Sequence, residues 1–134
     1  MTLGHEKLDV YGLSIDYVTW VYEVSGRLHG VHRHARDQWL RASQSIPLNI
    51  AEGNGKTSEP DRRRYFEIAR GSAFECAAIQ DVLVVGKALE EKTSEGRKSE
   101  LDRMGAMLSR LGGRGYSVEV ERAIYRTNEI DPDR

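Results

Sequence analysis

Apolar residues recur along this chain at three- and four-residue intervals in four separate stretches, the period of an amphipathic helix. In the first, Leu13, Tyr17, Trp20 and Val24 form the stripe, and Val18, Val21 and Leu28 widen it. That predicts a helix from about Leu8 to Leu28, roughly 30 Å long. The second begins near His34–Asp37 and aligns Trp39, Ser43, Ile46 and Ile50, with Leu40 and Pro47 alongside. Its last turns read Ser45-Ile46-Pro47-Leu48-Asn49-Ile50-Ala51-Glu52-Gly53, with Gly53 where a left-handed cap belongs. Pro47 removes one backbone donor and crowds the Ser43 carbonyl, so a kink is expected, costing about 3 kcal/mol if uncompensated.

Ser58-Glu59-Pro60-Asp61 opens the third helix with a capping hydroxyl, a proline in the first turn and acids at the positive end of the dipole. Its seam reads Tyr65, Ile68, Ser72, Glu75, Ile79, Val82, Gly86 and Leu89. A turn over Lys92-Thr93-Ser94-Glu95-Gly96 then leads to a fourth helix with Leu101, Met104, Leu108 and Leu111, stopped at Gly112-Gly113. Four striped helices with short connectors predict an all-α, up-down-up-down antiparallel four-helix bundle. Residues 1–7 are expected to be a flexible N-terminus, 8–113 the bundle, and 114–134 a C-terminal extension that is partly disordered.

Within the bundle, Gly71, Ser72 and Ala73 are small enough to let the second helix approach closely. An unpartnered carboxylate in a seam is costly, so Glu75 is expected to be partnered, protonated or at an opening of the core. Asn49 is its candidate partner in a buried network completed by Ser43 or Ser72. Surplus apolar residues remain on the first helix (Val18, Val21, Leu28) and on the third (Phe66, Phe74, Leu83). Apolar surface beyond what one bundle needs predicts a homo-oligomer.

Composition narrows the function. With 20 Lys+Arg against 21 Asp+Glu the net charge is -1, which excludes a polycation and confines any nucleic-acid binding to local patches. A single cysteine, Cys76, excludes an intrachain disulfide and suits a reducing compartment. No leader follows Met1 and no apolar run nears the ~20 residues of a membrane span, so a soluble cytoplasmic protein is expected.

Catalytic candidates fail on context. Gly55-Lys56-Thr57 resembles the end of a phosphate-binding loop, but Ile50 stands where its first glycine belongs and no strand precedes it. His29, His32 and His34 lie in a basic connector without a visible fourth ligand, so a solvated loop is the better reading. Cys76 has no histidine near it in sequence and reads as a buried, inert thiol. Glu52, Glu67 and Glu75 lack the Glu-x-x-His pairs of a di-metal bundle. The chain is therefore expected not to be an enzyme and to use no cofactor and no metal.

The arginines are the stronger lead. Lys56, Arg62, Arg63, Arg64 and Arg70 gather near the second turn, and Arg33, Arg36 and Arg41 near the first, at the opposite end of an antiparallel bundle. Each cluster can grip phosphates, and with no base-reading motif the binding is expected to be largely independent of sequence. A solvated face neutralised by Glu59, Asp61 and Glu67 is the plainer alternative.

The string from Ser45 to Gly53, followed by Arg64-Tyr65-Phe66-Glu67-Ile68-Ala69-Arg70-Gly71-Ser72 and Glu75, resembles a known family. It is that of the small four-helix-bundle proteins first noticed in intervening sequences of large-subunit ribosomal RNA genes. Their relatives include the accessory variability protein of diversity-generating retroelements. The resemblance runs over about residues 8–111 and implies a homopentamer. For the retroelement relatives it implies a basic surface that binds nucleic acid and a reverse transcriptase, and it carries no catalytic residue. The expected function is thus a homo-oligomeric accessory bundle binding RNA, DNA or a nucleic-acid-processing enzyme through its arginines. The rival is a structural or protein-partner adaptor whose charges serve solubility.

Overall fold

The computed structural model of the protein describes residues 2–113, so the expected extension lies outside the described residues. Four helices account for most of these: α1 (Asp9–Ser25), α2 (Arg33–Asn54), α3 (Glu59–Val85) and α4 (Glu91–Leu111). No strand occurs among the described residues, and the helices pack as a four-helix bundle around one core. Trp39, Tyr17, Phe66, Ile46 and Ile50 are its largest fully buried side chains. Residues 4–7, expected to be loose, instead form a short 3-10 turn, in which the His5 ring packs edge-on against Tyr11 at 4.8 Å.

The phase of α3 differs from the expected one. Phe66, Ala69, Ala73, Cys76, Ile79, Gln80 and Leu83 are buried, one position on from the seam read off the sequence, or about 100° around the helix. Both phases are apolar enough to serve. The expected one would bury the Glu75 carboxylate, whereas the observed one buries no charge, and desolvating a charge decides the matter. Glu75, Ile68 and Val82 are accordingly exposed. Phe66 and Leu83, expected as surplus, are core, as are Val21 and Leu28, while Phe74 stays exposed.

Two glycines also act differently from expectation. Gly53 is no left-handed cap: it lies buried inside α2, where an added Cβ would sit 2.9 Å from Phe66 Cε1 and 3.1 Å from Tyr65 Cβ. It marks the close approach of α2 to α3. The second correction concerns the α3–α4 connector, which is Gly86–Glu90, so Lys92–Gly96 fall within α4. Ala88 N donates to Leu83 O at 2.8 Å and Lys87 N to Val84 O at 3.0 Å, a Schellman closure that puts Lys87 at φ 61. Glycine would suit position 87, yet it stands at 86, where an added Cβ would meet His32 Cε1 at 3.3 Å.

One buried polar chain joins all four helices. Trp39 Nε1 donates to Tyr17 Oη at 3.0 Å, and Tyr17 Oη donates to Gln80 Oε1 at 2.5 Å. Gln80 Nε2 then donates to the Ser94 carbonyl and hydroxyl, both at 3.1 Å. Burial raises the Tyr17 hydroxyl well above the usual tyrosine value and pushes the neighbouring Cys76 thiol up to about 12. Both groups are therefore neutral and inert at physiological pH.

Candidate nucleic-acid interface

The turn between α2 and α3 gathers most of the expected cations. Ser58 Oγ accepts from Asp61 N at 3.3 Å and fixes where α3 begins. Arg62, Arg63 and Arg64 follow within its first two turns, and at ~100° per residue three neighbours leave the axis in three directions. Arg62 turns to α2, where Nη1 donates to Asn54 O at 3.3 Å and the guanidinium lies 5.4 Å from the Phe66 ring. Arg63 turns to α4, where Nε donates to Gly112 O at 3.1 Å. Arg64 lies 5.1 Å from the Tyr65 ring centre, and Nη2 donates to Tyr65 Oη at 3.4 Å.

Lys56 completes this last group. Its Nζ stands 5.2 Å from the same Tyr65 ring and 3.7 Å from Glu52 Oε2. A half-buried tyrosine is thus set among two cations. Arg70 is held by other means, with its guanidinium 4.9 Å from the Phe74 ring and its Nε buried without a hydrogen-bond partner among the described residues. At the first turn, Arg36 donates to Asp37 Oδ1 at 3.0 Å and to Leu28 O at 3.1 Å, while Arg33 and Arg41 are exposed. The structure therefore groups Lys56 with Arg64 and sends Arg62 and Arg63 elsewhere.

Arg36, Arg62 and Arg63 share a role that sequence reasoning missed. Arg62 and Arg63 donate to carbonyls at or just past a helix end, where unpaired carbonyls gather and the dipole is negative. Arg36 ties the connector three residues past α1 through Leu28 O. The only available signal was their spacing from each helix stop. Among the described residues no group of three His, Cys, Asp or Glu side chains is placed to hold a metal ion. None of the described helices is long and apolar enough to cross a membrane.

The model of the 23S rRNA-intervening sequence protein family matches residues 6–110. The chain belongs to that family. A crystal structure of a protein of unknown function from the S23 ribosomal protein family, from Bacteroides thetaiotaomicron, shares its fold. The TM-score is 0.71 at 19% identity, over 78% of this chain and 95% of that one. No functionally curated protein matches.

In this 23S rRNA-intervening sequence protein the motif on α2 divides by face. Ile46, Pro47, Ile50 and Gly53 are buried, while Leu48 and Glu52 are exposed. Ser45 and Asn49 lie between: Asn49 Nδ2 donates to Ser45 O at 2.8 Å and to Ser45 Oγ at 2.9 Å. Ser72 Oγ of α3 donates to Ser45 Oγ at 2.8 Å. Asn49 and Ser72 are therefore joined through Ser45 and not through Glu75. Ser43 is buried and donates within its own helix to Leu40 O at 3.1 Å, and Glu75 is exposed and lies outside this network.

Proposed function

We propose that this protein is a non-enzymatic cytoplasmic accessory bundle that binds RNA or DNA through the cations of the α2–α3 turn. The observation that carries the reading is the Lys56–Tyr65–Arg64 group, in which two cations flank an aromatic ring at one end of the bundle. Cations held beside an aromatic face combine phosphate attraction with a surface on which bases stack. Arg62 adds charge toward α2, Arg63 and Arg70 add it toward α4, and Arg33, Arg36 and Arg41 form a second patch.

The helices run up-down-up-down in this reading. Arg63 near the start of α3 meets Gly112 just past α4, and Gln80 near the end of α3 meets Ser94 near the start of α4, which supports that order. The assembly is a homopentamer, as the family resemblance implies, and the exposed apolar residues Ile68 and Val82 supply surface for it. A ring of copies repeats each patch, so weak phosphate contacts add through multivalency.

The same apolar residues favour a second reading, an adaptor that docks a reverse transcriptase or another protein without touching nucleic acid. Salt separates the two. Binding of a mixed-sequence RNA or DNA should weaken linearly on a log–log plot against salt, and Lys56→Glu with Arg64→Glu should abolish it while the helical signal is kept. Wild-type protein that binds neither at low salt would establish the adaptor reading instead.

A further inference from the structure

Next to the Tyr65 group lies a hollow of about 480 Å³ lined by His5, Leu48, Ala51, Glu52, Gly55 and Lys56. Its volume falls within the range of sites that take small ligands. The lining combines three kinds of surface. Leu48 and Ala51 are apolar, and Leu48 is 63% exposed. His5 contributes a flat ring whose position is fixed by its edge-on contact with Tyr11. Lys56 and Glu52 contribute opposite charges, and Lys56 is common to the hollow and to the Tyr65 group.

Glu52 is the residue that needs explaining. It stands two residues before the end of α2, where the negative end of the helix dipole disfavours a carboxylate. Its contact with Lys56, at 3.7 Å, is an ion pair too long for a hydrogen bond. Among the described residues neither of its oxygens accepts a hydrogen bond. An exposed carboxylate that accepts no hydrogen bond from the described residues, beside a partly apolar hollow and two cations, suits a planar ligand that carries hydrogen-bond donors.

We propose that this hollow takes one unpaired guanine base of a single-stranded nucleic acid, read by Glu52. Guanine presents two adjacent donors, N1–H and N2–H, on its Watson–Crick edge, and a carboxylate accepts two parallel hydrogen bonds. Adenine and cytosine offer a donor beside an acceptor. Uracil offers one donor between two carbonyl oxygens that repel the carboxylate. A duplex hides this edge in base pairing, so the site needs a splayed base stacked against an aromatic side chain such as His5. Lys56 and Arg64 then hold the neighbouring phosphates. This inference rests on the nucleic-acid reading above and adds strandedness and base identity to it.

The test measures fluorescence anisotropy at low salt with three labelled RNAs: oligouridine, the same oligomer with one central guanosine, and that second oligomer annealed to its complement. The guanosine oligomer should bind about tenfold tighter than oligouridine. Annealing should remove the advantage, and in Glu52→Gln the ratio of the two single-strand affinities should fall to near one. Glu52 is exposed, so a folded variant is expected, and circular dichroism checks it. Equal binding of both single strands by the wild type, or an undiminished ratio in Glu52→Gln, overturns the guanine site and leaves the nucleic-acid reading standing. If none of the three RNAs binds, the guanine site and RNA binding by this surface fall together.

Discussion

Tyr17 donates its hydroxyl hydrogen to Gln80 Oε1 across 2.5 Å, at a point where both side chains are fully buried. The same tyrosine oxygen accepts from Trp39, and the same glutamine donates onward to Ser94. Buried polar groups are costly when left unpaired and cheap when all are satisfied, so this chain fixes the register of the helices. Tyr17→Phe removes the middle of it and strands both the Trp39 N–H and the Gln80 oxygen. The variant should lose roughly 2–4 kcal/mol in urea unfolding. A loss below about 0.5 kcal/mol would show that the two flanking groups find other partners.

Lys87 holds a positive φ while glycine stands one position earlier, against His32. Lys87→Gly should therefore stabilise the protein by about 0.5–1 kcal/mol, because only glycine adopts that conformation freely. Thermal unfolding of the single variant is sufficient to check it. An unchanged or lowered midpoint would count against a strained connector.

Gly53→Ala tests the approach of α2 to α3. The added methyl would stand 2.9 Å from the Phe66 ring, itself fully buried, so the clash has little room to relax. Overpacking of this kind should cost about 1–3 kcal/mol in spite of the better helix propensity of alanine. Equal or greater stability of the alanine variant would mean that the helices can separate locally without penalty.

Alkaline pH should destabilise the fold. Burial pushes the Cys76 thiol from its ordinary 9.0 up to about 12 and raises the Tyr17 hydroxyl too. Above pH 9 the unfolded chain releases the thiol proton while the native protein keeps it. The unfolded state then binds fewer protons, and stability falls as pH rises. This contribution is complete below pH 9 and is lost progressively up to about pH 12. Cys76→Ala should flatten part of the decline, measured as unfolding free energy from pH 8 upward. Identical slopes for the two proteins would place the alkaline sensitivity elsewhere.

The four helices were legible because their apolar stripes are long, and α3 began where its Ser58 cap indicated. Its rotation was not legible, since two adjacent phases are both apolar and only the cost of burying Glu75 separates them. The Trp39–Tyr17–Gln80–Ser94 chain was hidden for a related reason. Tyr17 reads as one more apolar stripe position, and a glutamine four residues past a cysteine gives no periodic signal. At the candidate interface, spacing located the cations at the right turn. It could not tell an arginine that faces solvent from one that closes a helix end, because Arg62, Arg63 and Arg64 differ only in direction.

That difference gives the surface a mechanical side. Arg62 holds the last carbonyl of α2, and Arg63 holds the carbonyl just past α4. Each guanidinium carries five donors and uses one of them here, so the remainder stay available to an anion. A polyanion that recruits the spare donors leaves both helix ends clamped. One that draws a guanidinium fully away exchanges a carbonyl for a phosphate and lets the final turn of α2 or α4 fray. Occupancy of the surface would then be readable at a distance from it, as faster amide exchange in the closing turns of two helices, one of them the helix that carries the chain onward to residues 114–134.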